Sequence, residues 1–347
     1  MEISAWLDAS GSFLGPNSPL PLDCPFTADQ AAAWEVSRQT LRRLVSRGLV
    51  RRVLRGVYAV TQMPDDIESR ASALSLVVPP AAVVTDRTAA WFHGVDILPR
   101  SALSRPPPLS VFQISGTRVR RQGVHGGKRG LLARDVTEVS GVRVTTRLRT
   151  TCDLGRLLWR FDALSAIDGF LGIGLDQAEL IYEEPRFKGF RGVRQLRLLA
   201  PLGDHRAESP GESALRLHWY DAGLPRPELQ YWIADDFGQP SYRLDIALPE
   251  LRFAAEYDGE EFHTAQDDSD HDEERRDWIS TRRHWHIEVF DKNDVYAPNG
   301  DPIPRLLSGA ATARRSIAVW TPRRRTARSG PPQLTVMMEG GPPGRPD

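Results

Sequence analysis

Charge along this chain is sorted by position, and the sorting limits it to a set of unlike folded units. Its 347 residues carry 45 Lys+Arg against 45 Asp+Glu, a formal charge of zero. Residues 1–200 hold 27 basic and 19 acidic residues, residues 201–300 hold 10 and 23, and residues 301–347 hold 8 and 3. The segment charges are therefore +8, −13 and +5. A uniform zero argues against a nucleic-acid binder, because phosphate contacts need a basic surplus. A zero built from opposed segments carries no such argument and points to several domains.

The apolar fraction of 40% and nine Trp support proper cores. Two cysteines, Cys24 and Cys152, make no disulfide framework and have no zinc-ligand spacing, so a reducing cytoplasmic setting is expected. The N-terminus lacks the basic and long apolar regions of a signal peptide. The most apolar stretch, Ala71 to Val84, is too short to span a bilayer, and no membrane role is expected. Only three basic residues are Lys, an Arg bias of the kind a GC-rich genome produces, so single arginines carry little weight.

The expected fold class is multidomain α+β. A winged helix-turn-helix occupies residues 1–64, a mixed α/β middle domain residues 65–205, and an αβββαβ restriction-endonuclease-like domain residues 206–296. A basic Pro/Gly-rich tail, 297–347, is expected to be largely disordered apart from a helix over 303–316.

Thr27-Ala28-Asp29-Gln30 has the form of a capping box, and Ser37 suits the start of a second helix ending at Gly48. On that helix Leu41, Leu44 and Val45 share one side, while Arg38, Gln39, Arg42, Arg43 and Arg47 cover the other. Leu49–Leu54 and Val57–Val60 form a hairpin turning at Arg55-Gly56, which adds Arg51, Arg52 and Arg55 to the basic surface. From Val36 to Pro64 there are seven Arg and no acid. Arginine pairs bidentately with guanine or phosphate, and Gln39 suits adenine, so double-stranded DNA is the expected partner. A solvated Arg face on a small helical domain is the bland alternative.

The run Phe26–Gln30, Ser37–Val45, Gly48–Val53 and Arg55-Gly56-Val57-Tyr58 resembles the N-terminal winged helix of AbiEi-type antitoxins of type IV toxin–antitoxin systems. The resemblance implies promoter binding, autorepression and opposition to a nucleotidyltransferase toxin. Thr85–Gly94 and Thr145–Leu154 are more loosely similar to segments that follow the winged helix in such chains. Between Ile97 and Arg134 lie eight basic residues and no acid, with Val111–Ser115 and Thr117–Arg121 as candidate strands. That stretch suits either a phosphate-contacting surface or a solvated loop. His93 and His125 lack ligand spacing and suit structural roles.

The acidic segment opens with a helix at Ser209-Pro210-Gly211-Glu212, with Leu215, Trp219 and Ala222 on its apolar face. Strands Glu228–Ala234, Tyr242–Leu248 and Leu251–Tyr257 follow, then a polar helix over Asp270–Arg283 and a strand over Trp285–Phe290. This is the element order of a PD-(D/E)XK nuclease core. Alternation turns Asp245 away from Leu244 and Ile246, and puts Glu256 on one face with Ala254. A turn at Pro249-Glu250 then brings Asp245 and Glu256 together. Paired carboxylates on apolar strands resist ionisation unless a cation neutralises them, and Mg²⁺ does so with one or two carboxylates plus water. Glu212 and Asp258 complete the candidate site, although Glu212 also suits a capping box with Ser209, and residues 256–261 also suit a solvated acidic turn.

Pro210–Ser213, Arg243–Ile246, Glu256–Gly259 with His263, and Asp272–Arg275 resemble the domain family related to very-short-patch-repair endonucleases. The resemblance implies Asp245 and Glu256 as metal-binding carboxylates, Glu212 as the helix glutamate, and His263 and Arg275 as polar neighbours. Asp258 stands where many PD-(D/E)XK enzymes have Lys, a substitution shared with the repair-type relatives, and His284 where Gly is common. Two functions are expected: a DNA-binding regulator or antitoxin with a nuclease-fold domain, or a Mg²⁺-dependent endonuclease aimed by its winged helix.

Overall fold

The computed structural model describes residues 3–97, 109–113, 124–259 and 266–320, with the side chains of 266–274 and 318–320 excepted. Strand β1 (Phe26–Thr27) leads into α1 (Ala28–Ala33), α2 (Arg38–Ser46), β2 (Val50–Leu54) and β3 (Val57–Val60). Thr27 and Gln30 form the complete capping box, and the Ser37 hydroxyl accepts from Thr40 N at 3.1 Å. The strands lie in the order β1-β3-β2. Gly56 turns the wing at φ 82°, a conformation that costs a residue with a Cβ. Phe26, Leu41, Leu44 and Val60 form the core, which Trp6 and Leu14 from the preceding segment complete.

The wing is not an isolated module. Leu54 and Val57 join a second core with Ala71 and Leu74 of α3 (Ile67–Ser75) and with the middle sheet. That sheet is built from β4 (Ala82–Val84), β5 (Leu109–Gln113), β6 (Val124–Lys128), β7 (Val136–Val139) and β8 (Val142–Thr145), in the order β6-β5-β4-β8-β7. Helix α4 (Asp86–Phe92) follows β4, and the Thr85 side chain makes no capping hydrogen bond to it. The candidate strand Val111–Ser115 sits two residues earlier as β5, and Thr117–Arg121 lies outside the described residues.

Helices α5 (Arg147–Leu157), α6 (Arg160–Gly172), α7 (Gln177–Glu183) and α8 (Val193–Leu199) come next. Arginine does structural work here. Asp135 accepts from Arg149 at 2.7 Å and from Arg186 at 2.5 Å, and Asp153 accepts from Arg149 at 2.9 Å and from Arg156. Arg129 bridges Asp86 at 2.6 Å and Asp153 at 3.2 Å. Two of the basic residues in the 97–134 run, Arg129 and Arg134, are therefore committed to carboxylates. His93 is structural: its Nε2 lies 2.8 Å from Thr145 O, and burial lowers its pKa.

The last region has α9 (Pro210–Asp221), β9 (Glu228–Ala234), β10 (Pro240–Leu248), β11 (Phe253–Tyr257), α10 (Gln266–Arg283) and β12 (His286–Phe290). The order αβββαβ is as expected, in a sheet ordered β12-β11-β10-β9, with β11 and β12 parallel and the other pairs antiparallel. The short α11 (Lys292–Tyr296) and the longer α12 (Ile303–Trp320) follow. The expected helix over 303–316 is present as α12. Helix α12 runs past residue 316, and its Leu306, Ala310 and Ala313 are buried in the main core, because they present an apolar face at helical spacing. Among the described residues no helix is long and apolar enough to cross a membrane.

That core does not stop near residue 205. Phe170 of α6 and Leu196 of α8 share it with Leu215 and Trp219 of α9 and with Phe253 and Phe290 of the sheet. Trp219 stacks on Phe253 with ring centroids 5.2 Å apart. At its centre Asp168 accepts from Arg216 at 2.5 Å, Ser213 at 2.6 Å and the Asp204 amide at 2.8 Å. Removing one partner strands the other's buried charge, so Asp168→Ala should cost about 3–5 kcal/mol in urea unfolding. Asp168→Ala combined with Arg216→Met should recover part of that loss.

Candidate functional site

The N-terminal candidates other than Arg51 are exposed to solvent. Arg38, Gln39, Arg42 and Arg43 on α2, Arg47 just after it, and Arg52 and Arg55 on the wing are all exposed. Burial of Leu41 and Leu44 forces this arrangement, since the remaining positions of an amphipathic helix must face outward. Among the described residues no carboxylate pairs with Arg42, Arg43, Arg47, Arg52 or Arg55, whereas Arg38 lies 3.6 Å from Asp29. Arg51 departs from the expected surface: its Nη2 donates to the carbonyls of Met63 and Pro64 at 3.2 and 3.3 Å. It straps the chain leaving the wing.

The C-terminal candidates Glu212, Asp245 and Glu256 lie on α9, β10 and β11. The β10–β11 ladder closes with Ile246 opposite Ala255, so Asp245 and Glu256 are next in register. There the Tyr257 amide donates to Asp245 Oδ2 at 2.9 Å instead of continuing the ladder. Gly211 lets α9 lie against the Tyr257 ring, where an added Cβ would fall 2.0 Å from a ring carbon. This contact brings the α9 N-terminus, with Glu212, to Asp245.

Glu212 is not the expected capping-box partner. Ser209 Oγ does accept from the Glu212 amide at 3.1 Å, but Glu212 Oε2 accepts from the Glu208 amide at 3.0 Å and from Gln230 Nε2 at 2.8 Å. Burial and then the Asp245 charge push the Glu212 carboxyl up to about 7. Burial also raises Asp245, against the Tyr257 hydrogen bond and the charges of Arg275 and Arg243. Glu256 is compensated differently: Arg275 Nη2 lies 2.9 Å from both of its carboxylate oxygens. Asp258 sits just beyond β11, where its amide donates to Phe290 O at 2.8 Å. His263 lies outside the described residues. His284 adopts φ 58°, which explains why a glycine suits that position.

Simple alternation fails at Asp245. Leu244 packs with Ile233 and Ile279, whereas Ile246 belongs to the core of Trp219 and Phe253. Strand β9 switches in the same way, with Leu229 in the latter core and Ile233 in the former. The switch falls at Gln230 and Asp245, which are missing from the β9–β10 pairing between Leu244↔Tyr231 and Ile246↔Leu229. Gln230 has φ 53°, a left-handed backbone that costs about 1–3 kcal/mol for such a residue. Sequence reasoning missed Gln230, because nothing in a glutamine within a β-prone run signals an inverted φ.

Glu212 gives a pH test in metal-free buffer. Its folded pKa lies above the ordinary 4.5, so the fold holds that proton more tightly than the unfolded chain does. The stability this contributes is complete below about pH 4.5 and is lost as pH rises through 7. Wild type should therefore lose up to about 3 kcal/mol relative to Glu212→Gln between those limits, measured by denaturant titration at several pH values.

Comparison with known proteins places these features in context. Residues 25–61, the span of the helix-turn-helix and wing, match the family model described as "Transcriptional regulator, AbiEi antitoxin". Two proteins of Mycobacterium tuberculosis, named uncharacterized protein MT2308 (strain CDC 1551 / Oshkosh) and uncharacterized protein Rv2248 (strain H37Rv), are each 34% identical over 238 residues. The match covers 66% of this chain and 80% of theirs. The chain belongs to one family with these mycobacterial proteins, and its residues 25–61 are of the AbiEi antitoxin transcriptional-regulator type.

Proposed function

We propose that the protein is a DNA-binding transcriptional regulator of the AbiEi antitoxin type. The observation that carries this reading is the exposed arginine face of α2 and the wing, within the segment that matches the antitoxin family. Helix α2 enters the major groove, Arg42 and Arg43 contact phosphate or guanine edges, Gln39 reads a base, and Arg55 at the wing tip reaches the flanking backbone. The family resemblance extends the proposal to a toxin partner of the nucleotidyltransferase class.

The test is binding to the protein's own promoter DNA, followed by fluorescence anisotropy across a salt series. Arg42→Ala plus Arg43→Ala should weaken binding and lower the slope of log K against log[salt] by up to about 2, if both contact phosphate. An unchanged slope and affinity would place the interface elsewhere.

A second reading, a metal-dependent endonuclease activity in the C-terminal region, is favoured by the Glu212–Asp245–Gln230 cluster. Its αβββαβ order and mixed sheet suit a PD-(D/E)XK nuclease core. Among the described residues no three His, Cys, Asp or Glu side chains already form a metal cage. Yet the donors are all oxygen, and Gln230 Oε1 is buried with no hydrogen-bond partner. Asp245, Glu212 and waters therefore suit a hard cation such as Mg²⁺, with Glu256 held by Arg275 beside them. When bound, Mg²⁺ would polarise a phosphodiester and lower the pKa of a water. This region carries −13, so the basic N-terminal face would have to bring DNA to it. Under this reading, Mg²⁺- or Mn²⁺-dependent nicking of supercoiled DNA should occur and be lost in both Asp245→Ala and Glu256→Ala. Nicking that survives in either variant would sink it.

A further inference from the structure

We infer that the turn and helix over residues 188–197 form a second surface for duplex DNA, on which Lys188, Arg191 and Arg194 contact the phosphate backbone. The inference rests on the DNA-binding reading above and adds to it a surface outside the winged helix.

Pro185 to Gly203 carries five basic residues and no acid, and its Lys188 is one of only three lysines in the chain, so an Arg-rich composition does not explain it. Burial of Leu196 and Leu199 turns Arg194 and Arg197 of α8 to solvent. Lys188, Phe190 and Arg191, in the turn before α8, are exposed as well. The neighbouring arginines are already neutralised, Arg186 by Asp135 and Glu183, and Arg197 by Glu184 at 2.8 Å. Among the described residues no carboxylate pairs with Lys188, Arg191 or Arg194.

The turn is held from beneath by a buried arginine. Arg156 of α5 donates from Nη1 to the Arg191 carbonyl at 2.7 Å, and its guanidinium lies 4.8 Å from the Phe187 ring centroid and 5.5 Å from that of Phe190. Gly192, at φ 77°, lets the chain pass over that residue, since an added Cβ would fall 1.9 Å from the Arg156 carbonyl oxygen. Gln195 Nε2 donates to the carbonyls of Gly155 and Leu158, both at 2.9 Å, and pins α8 to α5. Three uncompensated cations are thus presented from a short stretch of chain on a fixed support. A polyanion relieves their mutual repulsion, and the counterions it releases supply binding free energy. Burial in a protein interface would instead require a carboxylate for each cation. Phosphate contacts carry no sequence information, so this face adds affinity for any duplex and leaves the choice of sequence to α2.

The test is fluorescence anisotropy of the full chain with two labelled duplexes of equal length, the promoter and an unrelated sequence, across a salt series. Lys188→Ala plus Arg191→Ala plus Arg194→Ala should weaken binding to both by roughly tenfold or more, and lower the slope of log K against log[salt] by about 2–3. Lys188→Arg plus Arg191→Lys plus Arg194→Lys, which keeps the charges, should retain the wild-type slope, and a slope as low as that of the alanine variant overturns the inference. Should the alanine variant melt below wild type, Lys188→Glu and Arg194→Glu, made singly, decide in its place, and wild-type slopes in both overturn the inference. Wild-type affinity and slope in a stably folded alanine variant overturn this surface and leave the face to an acidic protein, while a loss in Arg42→Ala plus Arg43→Ala still upholds the winged-helix reading. A lowered slope in the alanine variant of this face, with none in the α2 variant, upholds this surface and overturns the α2 contacts. No binding of either duplex by wild type overturns both.

Discussion

The buried Asp168–Arg216 pair ties the helical layer of the middle region to the C-terminal sheet, and the candidate carboxylate site depends on that tie. Arg216 is only 1% exposed, so its charge is sustained by Asp168, to which Nη2 donates, while Nη1 donates to the Leu202 carbonyl. Such a pair adds little net stability over an apolar one but tolerates few alternative geometries. It sets the axial position and rotation of α9. Gly211 and Glu212, one turn earlier, are thereby delivered to Tyr257 and Asp245.

The charge segregation acquires a similar physical reading. Part of the basic surplus is exposed on α2 and the wing, and part is spent inside, where Arg129, Arg149, Arg156 and Arg186 neutralise Asp86, Asp135, Asp153 and Glu183. The acidic surplus is likewise divided. Glu256 has its arginine, while Glu212 and Asp245 are held beside each other with raised affinity for protons. Charge counted along a chain cannot tell these cases apart, since pairing is decided between elements distant in sequence.

Local signals in the chain were legible to nearly the residue. The Thr27–Gln30 capping box, the Arg55-Gly56 wing turn and the αβββαβ order all follow from short-range chemistry: cap hydroxyls, a glycine at positive φ, and hydrophobic periods. The expectations that failed were non-local ones. Strand alternation misplaced Leu244 relative to Ile246 because paired irregularities in β9 and β10 reverse the face, and such irregularities leave little trace in composition. Glu212 suited a cap from its spacing, yet its carboxylate turned to Gln230 and the Glu208 amide.

By itself, then, the sequence determined the helix and strand order of the N-terminal winged-helix segment and of residues 209–290, and that α2 must present arginine to solvent. Its leucines at positions 41 and 44 must be buried, and a helix has only one other side. It also determined that Asp245 and Glu256 come from adjacent strands. Only the tertiary structure decided that Arg51 is a strap, that α12 completes the main core, and that Gln230 faces Glu212. Each of those outcomes depends on contacts between residues far apart in the chain or on a backbone angle, and neither is encoded in the spacing of residue types.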